Sequence, residues 1–134
     1  MTASLYDPGR EGILDRTIDV TAGTIKAGLV RSGTFSAAHK FLSDLTGAGA
    51  TLVASFALTS KTYTSGVLDA ADGLFAAVAA GAACNALILY NDTGVPGTSR
   101  LIGYEDSATG LPVTPNGTDI PVTWDNGANK ILKL

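Results

Sequence analysis

Residues 85–90 read NALILY, and the five positions after the asparagine are all apolar. A short run that is apolar on both faces of an extended chain is typical of a central strand covered on both sides. Turn-forming residues follow directly in Asn91, Asp92 and Gly94. The run therefore predicts a buried central strand of a β-sheet.

Similar strand-like runs occur on both sides of this one. In residues 118–124, Ile120, Val122 and Trp124 share one face, while Pro121 marks an edge or a bulge. The remaining runs are 24–30, 51–58, 61–68, 74–78, 100–104 and 129–134. Eight short strands at a spacing of about ten residues predict an all-β fold, a β-sandwich or jelly-roll. No linker or charge run divides the chain, so residues 1–134 are predicted to form a single domain.

Two short helices are predicted in the first third of the chain, at the margin of the strands. Asp7 is a suitable N-cap and Pro8 a suitable first residue for a helix that packs Ile13 and Leu14. Two glycines within that helix are expected to weaken it. Residues 36–45, with Ser36 as the cap, predict the second helix.

Composition excludes several classes of function. The 134-residue chain has a net charge of −3, and its Lys and Arg are scattered, which argues against nucleic-acid binding. No apolar run reaches the length of a membrane span, and no signal peptide opens the chain. One cysteine and one histidine cannot build a multi-thiolate or multi-histidine metal site. We expect a soluble protein made in a cytosol, without a cofactor or metal.

Residues 124–132, WDNGANKIL, are open to two interpretations. Asp125, Asn126 and Asn129 are oxygen-bearing side chains that would suit a ligand-binding or catalytic loop. Asn126-Gly127 is also the dipeptide that best tolerates the positive φ angles of a tight hairpin, and it stands between two strand-like runs. We favour the hairpin turn, which predicts that residues 129–134 lie beside the strand containing Trp124.

Acidic and aromatic residues supply the other candidate sites. Acids near strand ends would suit calcium, a glycosidase acid pair or, as we favour, ordinary turns; they are Asp69, Asp72, Asp92, Glu105 and Asp106. Aromatic side chains would form a carbohydrate-stacking platform if they shared an exposed face, although core packing is favoured; they are Tyr63, Tyr90, Tyr104 and Trp124. No nucleophile elbow or phosphate loop is present, so no catalytic, cofactor-binding or metal residue is predicted.

Five segments, in order, resemble small virion structural proteins of tailed bacteriophages. They are LYDPGREGILDRTIDVTAGTIKAGLV at 5–30, HKFLSDL at 39–45, LILYNDTG at 87–94, LIGYEDSATGLPVTPNGTDI at 101–120 and WDNGANKILKL at 124–134. The resemblance implies a structural role at the capsid surface or in the tail, and it supplies no catalytic residues.

This resemblance leads us to expect a non-enzymatic capsid decoration (cement) protein of the virion, synthesised in the host bacterial cytoplasm. A minor tail, neck or baseplate protein is the first alternative, and a carbohydrate-binding host-attachment module is the second. The expected partners are phage capsid or tail proteins and further copies of the chain, with a trimer as one arrangement. Residues 1–7, which present Leu5 and Tyr6, are the candidate contact arm.

Overall fold

The protein folds mainly as antiparallel β-sheet. The computed structural model describes residues 4–108, 110–128 and 130–134. Strands make up 35% and helices 11% of the described residues, which confirms the all-β prediction and the two short helices. In chain order the elements are β1 (Ser4–Leu5), α1 (Asp7–Leu14), β2 (Ile25–Arg31), α2 (Leu42–Gly47), β3 (Thr51–Ala57), β4 (Thr62–Thr64), β5 (Val67–Asp69), β6 (Gly73–Phe75), β7 (Ala86–Asn91), β8 (Arg100–Glu105), β9 (Ile120–Val122) and β10 (Leu132–Lys133).

The strands form one large sheet and two small ones. The large sheet has the order β1-β8-β7-β2-β3, while β10-β5-β4 and β6-β9 form the small sheets. Strand β7 is the central strand that NALILY predicts, and residues 86–90 are all buried. Leu87 and Leu89 contribute to the core shared with the small sheets, and Ile88 and Tyr90 to the core shared with α2. The two faces of β7 therefore pack into two different hydrophobic clusters.

Helix α1 packs against β8 through its glycines. A Cβ atom added at Gly9 would stand 2.7 Å from the backbone oxygen of Leu101, closer than atoms approach without displacement. The glycines expected to weaken the helix thus permit its close contact with the sheet. Its N-cap is Tyr6, one residue before the predicted Asp7, and Leu14 is 82% exposed instead of packed.

The prediction that Leu5 and Tyr6 form a contact arm is wrong. Leu5 lies in β1, which pairs with β8, and Tyr6 donates its backbone N–H to the oxygen of Ile102 at 3.0 Å. Tyr6 is fully buried, and this burial raises the pKa of its hydroxyl above the ordinary value. Residues 1–3 of the predicted arm lie outside the described residues. Leu5 and Tyr6 themselves belong to the core.

Helix α2 begins later than its pattern predicts. It spans Leu42–Gly47, whereas residues 36–45 were the predicted range. The carboxylate of Asp44 accepts the backbone N–H groups of Lys40 at 3.0 Å and Phe41 at 2.9 Å. These bonds satisfy amides at the start of the helix, so Asp44 and not Ser36 determines where the helix begins.

The predicted final hairpin is also wrong. Strand β9 pairs with β6, and β10 pairs with β5, so the chain around Asn126 and Gly127 connects two different sheets. The segment does turn, because the N–H of Gly127 donates to Oδ1 of Asp125 at 3.0 Å. Asn129, at the start of the predicted last strand, lies outside the described residues. Neither Asn126 nor Gly127 has the positive φ angle that was predicted for a tight hairpin, so both the turn conformation and the pairing partner differ from the prediction.

A tight hairpin occurs instead within the run 61–68, which was predicted as one strand. Strands β4 and β5 pair antiparallel, with Thr64 opposite Val67. The two residues between them, Ser65 and Gly66, have φ angles of 54° and 76°. Positive φ at both central positions is the signature of a type I′ turn. This turn joins β4 to β5 in the β10-β5-β4 sheet.

Candidate functional site

An apolar cavity of about 230 Å³ lies between the large sheet and the β10-β5-β4 sheet. Its floor consists of Ile25 of β2, Leu89 of β7 and Ile102 of β8, which are each at most 2% exposed. These three side chains belong to the same core cluster because they project from one face of the large sheet. Adjacent strands of the sheet therefore build the floor.

The wall of the cavity comes from the small sheet. Leu68 of β5 and Leu132 of β10 are paired across the two strands, and both are buried. Residues paired in this way present their side chains on the same face of a sheet. The two leucines consequently face the floor, and the Ser65-Gly66 turn of the same sheet stands beside them, with Gly66 among the lining residues.

The cavity opens to solvent through exposed apolar side chains. Tyr63 is 43% exposed and Leu134 is 61% exposed, and both line the cavity together with half-buried Ile13 and Val20. The next residue of α1, Leu14, is the most exposed large apolar side chain of the described residues. An apolar pocket surrounded by exposed apolar groups is a feature of interaction surfaces.

Hydrogen bonds hold the loop that forms one side of the mouth. The hydroxyl of Tyr63 donates to the backbone oxygen of Val20 at 2.9 Å. The ammonium of Lys61 donates to the same oxygen at 2.8 Å and to that of Gly23 at 3.1 Å. Desolvation, followed by the charge of Asp19, raises the pKa of the Tyr63 hydroxyl, which keeps it a donor. The mouth is therefore a preformed structure.

A larger cleft of about 760 Å³ lies beside β6 and β9, and two of its lining residues are acids. The carboxylate of Glu105, which is 7% exposed, accepts the N–H of Ser107 at 2.6 Å and its hydroxyl at 2.7 Å. The N–H of Gly127 lowers the pKa of the other acid, Asp125. Both carboxylates thus hold local turns.

Three of the four other candidate acids also have structural partners, and the fourth, Asp106, is exposed. Asp69 pairs with Lys130 at 3.4 Å, and Asp92 pairs with Lys26 at 2.7 Å. Asp72 accepts the backbone N–H of Trp124 at 2.9 Å. Within the described residues, no three His, Cys, Asp or Glu side chains come together in a group that could hold a metal ion. The structure does not assemble these acids into a calcium site or an acid pair.

The aromatic platform does not form either. Tyr90, Tyr104 and Trp124 are each at most 7% exposed, and only Tyr63 of the four reaches the surface. Trp124 donates its indole N–H to the oxygen of Ala71 at 3.1 Å, in the core position that its alternation with Val122 predicts. Tyr63 has a different role, as part of the cavity mouth. Sequence reasoning missed this cavity altogether.

Comparison with known proteins gives no further indication of function. No protein-family model and no curated protein matches this chain. None of the helices in the described residues has the length and apolar character needed to span a membrane.

Proposed function

We propose that this protein is a non-enzymatic structural protein of a bacteriophage virion, and that it decorates the capsid by binding the assembled shell. The observation that carries the proposal is the preformed apolar cavity with its exposed apolar mouth. At about 230 Å³ it is smaller than the pockets of roughly 300–1,000 Å³ that hold drug-sized ligands. It has the size and lining for one apolar side chain of a neighbouring protein.

An apolar anchor is an effective way to bind a shell. Burying one large apolar side chain stabilises a contact by about 1.5–3 kcal/mol, and a few such anchors dominate many interfaces. If the side chain is presented only when capsid subunits adopt their assembled arrangement, binding favours that arrangement by linkage. This mechanism requires no chemical step.

Two further observations support the proposal. The sequence resembles small virion proteins of tailed bacteriophages from Leu5 to Leu134. Of the five acids that sequence analysis offered for calcium or catalysis, Glu105 holds a local turn, Asp72 accepts a backbone N–H, and Asp69 and Asp92 form ion pairs. A decoration protein uses its surface and needs neither a metal nor a nucleophile.

The test is to mix the purified protein with undecorated mature phage shells and, separately, with unassembled capsid protein. We expect saturable binding to shells alone. Leu134→Asp places a charge at the cavity mouth and should weaken binding about tenfold or more, the equivalent of roughly 1.4 kcal/mol. The matched control is Val95→Asp, because Val95 is 57% exposed, similar to Leu134, but does not line the cavity.

Each other outcome contradicts a defined part of the proposal. Equal weakening by the two substitutions would exclude the cavity as the docking site. Absence of shell binding, together with recovery of the protein in tail fractions, would make it a tail component. A mass-spectrometric copy count from purified virions separates these two locations, since hundreds of copies indicate the capsid and a handful the tail.

A further inference from the structure

The chain contains two Asn-Gly dipeptides, Asn116-Gly117 and Asn126-Gly127, and all four residues are exposed. Asparagine is chemically labile, because the backbone nitrogen of the next residue can attack its side-chain amide. A following glycine favours this attack, since it has no side chain to hinder the approach. The two dipeptides are therefore equally labile by sequence, and the structure distinguishes between them.

The reaction at such a dipeptide consumes only water. The glycine nitrogen loses its proton and forms a bond to Cγ of the asparagine, which closes a succinimide ring. The bond from Cγ to the side-chain nitrogen breaks, and that nitrogen takes up a proton and leaves as ammonia. Water then opens the ring at either carbonyl carbon and gives aspartate or isoaspartate. Ring closure therefore requires that Cγ and the glycine nitrogen meet and that the N–H proton is lost.

In the first dipeptide, hydrogen bonds hold both reacting groups. The N–H of Gly117 donates to the backbone oxygen of Val78 at 2.8 Å, and the N–H of Val78 donates to the oxygen of Thr118 at 3.1 Å. The side-chain oxygen of Asn116 accepts the N–H of Thr118 at 3.2 Å and its hydroxyl at 2.6 Å. Ring closure at Asn116 must break bonds on both partners of the reaction.

The second dipeptide has no such restraints. Among the described residues, the side chain of Asn126 makes no hydrogen bond, and no hydrogen bond between backbone groups joins residues 126–128 to another element. The N–H of Gly127 donates to Oδ1 of Asp125 at 3.0 Å. A carboxylate within hydrogen-bond reach of a proton can accept it as a base, which the carbonyl oxygen of Val78 cannot do. This contact therefore does not oppose the loss of the Gly127 proton.

We infer that Asn126 is a site of spontaneous conversion to aspartate and isoaspartate in the folded protein, and that the fold protects Asn116. Each conversion replaces a neutral amide by a carboxylate, so the net charge of −3 becomes more negative by one. The new charge adjoins Asp125, which lines the larger cleft. Isoaspartate also adds a methylene group to the backbone between β9 and β10. The site is independent of the proposed function.

The first test is incubation of the natural protein at mildly alkaline pH, followed by tryptic digestion and mass spectrometry. The tryptic peptide 101–130 contains both asparagines, and its fragment ions assign the conversion to one residue. In the folded protein we expect residue 126 to convert at least about tenfold faster than residue 116, because each hydrogen bond that must break slows ring closure. In urea, where the fold is lost, the two rates should converge.

The second test removes part of the protection at Asn116. Thr118→Val deletes the hydroxyl that bonds the Asn116 side chain and should raise the conversion rate at residue 116 by about two- to tenfold. Thr123→Val is the matched control, because Thr123 is also exposed and should leave both rates unchanged. Equal rates in the folded protein, faster conversion at Asn116, or a difference that persists in urea would each overturn the inference. An unchanged rate at Asn116 in Thr118→Val would contradict the protection that we assign to Thr118.

Discussion

Asp92 and Lys26 form the shortest ion pair of the described residues, 2.7 Å between Oδ2 and Nζ, with side chains 22% and 29% exposed. The hydrogen bond from Lys26 lowers the pKa of Asp92, and the N–H of Gly94 lowers it further. A carboxyl group with a lowered folded-state pKa contributes stability above its unfolded pKa of about 3.9. That contribution is lost as the pH falls through the folded-state value.

Asp92→Asn should therefore reduce the free energy of unfolding by about 0.5–1 kcal/mol at pH 7. The difference from the natural protein should shrink below about pH 4, as the natural carboxyl becomes protonated first in the unfolded state and, at lower pH, in the folded state. Urea unfolding between neutral and acidic pH measures both effects. Asp106→Asn is the control, because Asp106 is exposed and should change stability little. A difference that stays constant with pH would contradict an electrostatic contribution from Asp92.

At the scale of elements, the Ser65-Gly66 turn positions the wall of the cavity. Gly66 has a φ angle of 76°, and a Cβ there would meet only the Leu134 oxygen, at 3.5 Å. Substitution at this position thus tests backbone conformation without a steric clash. Gly66→Ala should lower the free energy of unfolding by about 1–2 kcal/mol, because an L-residue disfavours this region.

Gly127→Ala is the matched comparison for Gly66→Ala, since Gly127 has no left-handed φ angle. An added Cβ would approach only the flexible side chain of Asp125, at 3.0 Å. We expect a change within about 0.5 kcal/mol, as is usual for surface substitutions. Equal effects of the two substitutions would show that the positive φ angle of Gly66 contributes nothing to stability. Thermal or urea unfolding decides between these outcomes.

Local patterns predicted elements better than their pairing. NALILY predicted a central strand because burial on both faces follows from its own residues. Asn126-Gly127 predicted a hairpin wrongly because β10 pairs with β5, and no local pattern at residues 124–134 indicates that partner. The Ser65-Gly66 dipeptide was the signal for the real hairpin, but it lay inside a run predicted as one strand.

The cavity could not be predicted from the sequence for a related reason. Its lining comes from α1 and the loop after it, three strands of the large sheet and all three strands of the β10-β5-β4 sheet. Each of these side chains occupies an ordinary apolar position, such as Leu89 in the central strand or Leu132 near the end of the chain. The cavity arises from the way the sheets pack against each other, and no sequence motif indicates that packing.

For the whole molecule, the apolar cavity and the larger cleft lie on different elements, the first beside the β10-β5-β4 sheet and the second beside β6 and β9. The proposed shell contact needs only the first. Its mouth presents the exposed side chains of Tyr63 and Leu134, whereas the two acids of the cleft hold local turns.

This arrangement predicts that shell binding and folding respond separately to substitution at the cavity mouth. Leu134→Asp should weaken shell binding and change the free energy of unfolding by no more than about 0.5 kcal/mol, because Leu134 is 61% exposed and surface substitutions have small effects. Shell-binding titrations and urea unfolding of the same variant provide the comparison. If the free energy of unfolding fell as much as the free energy of binding, the substitution would act through the fold, and the mouth would not be the docking site.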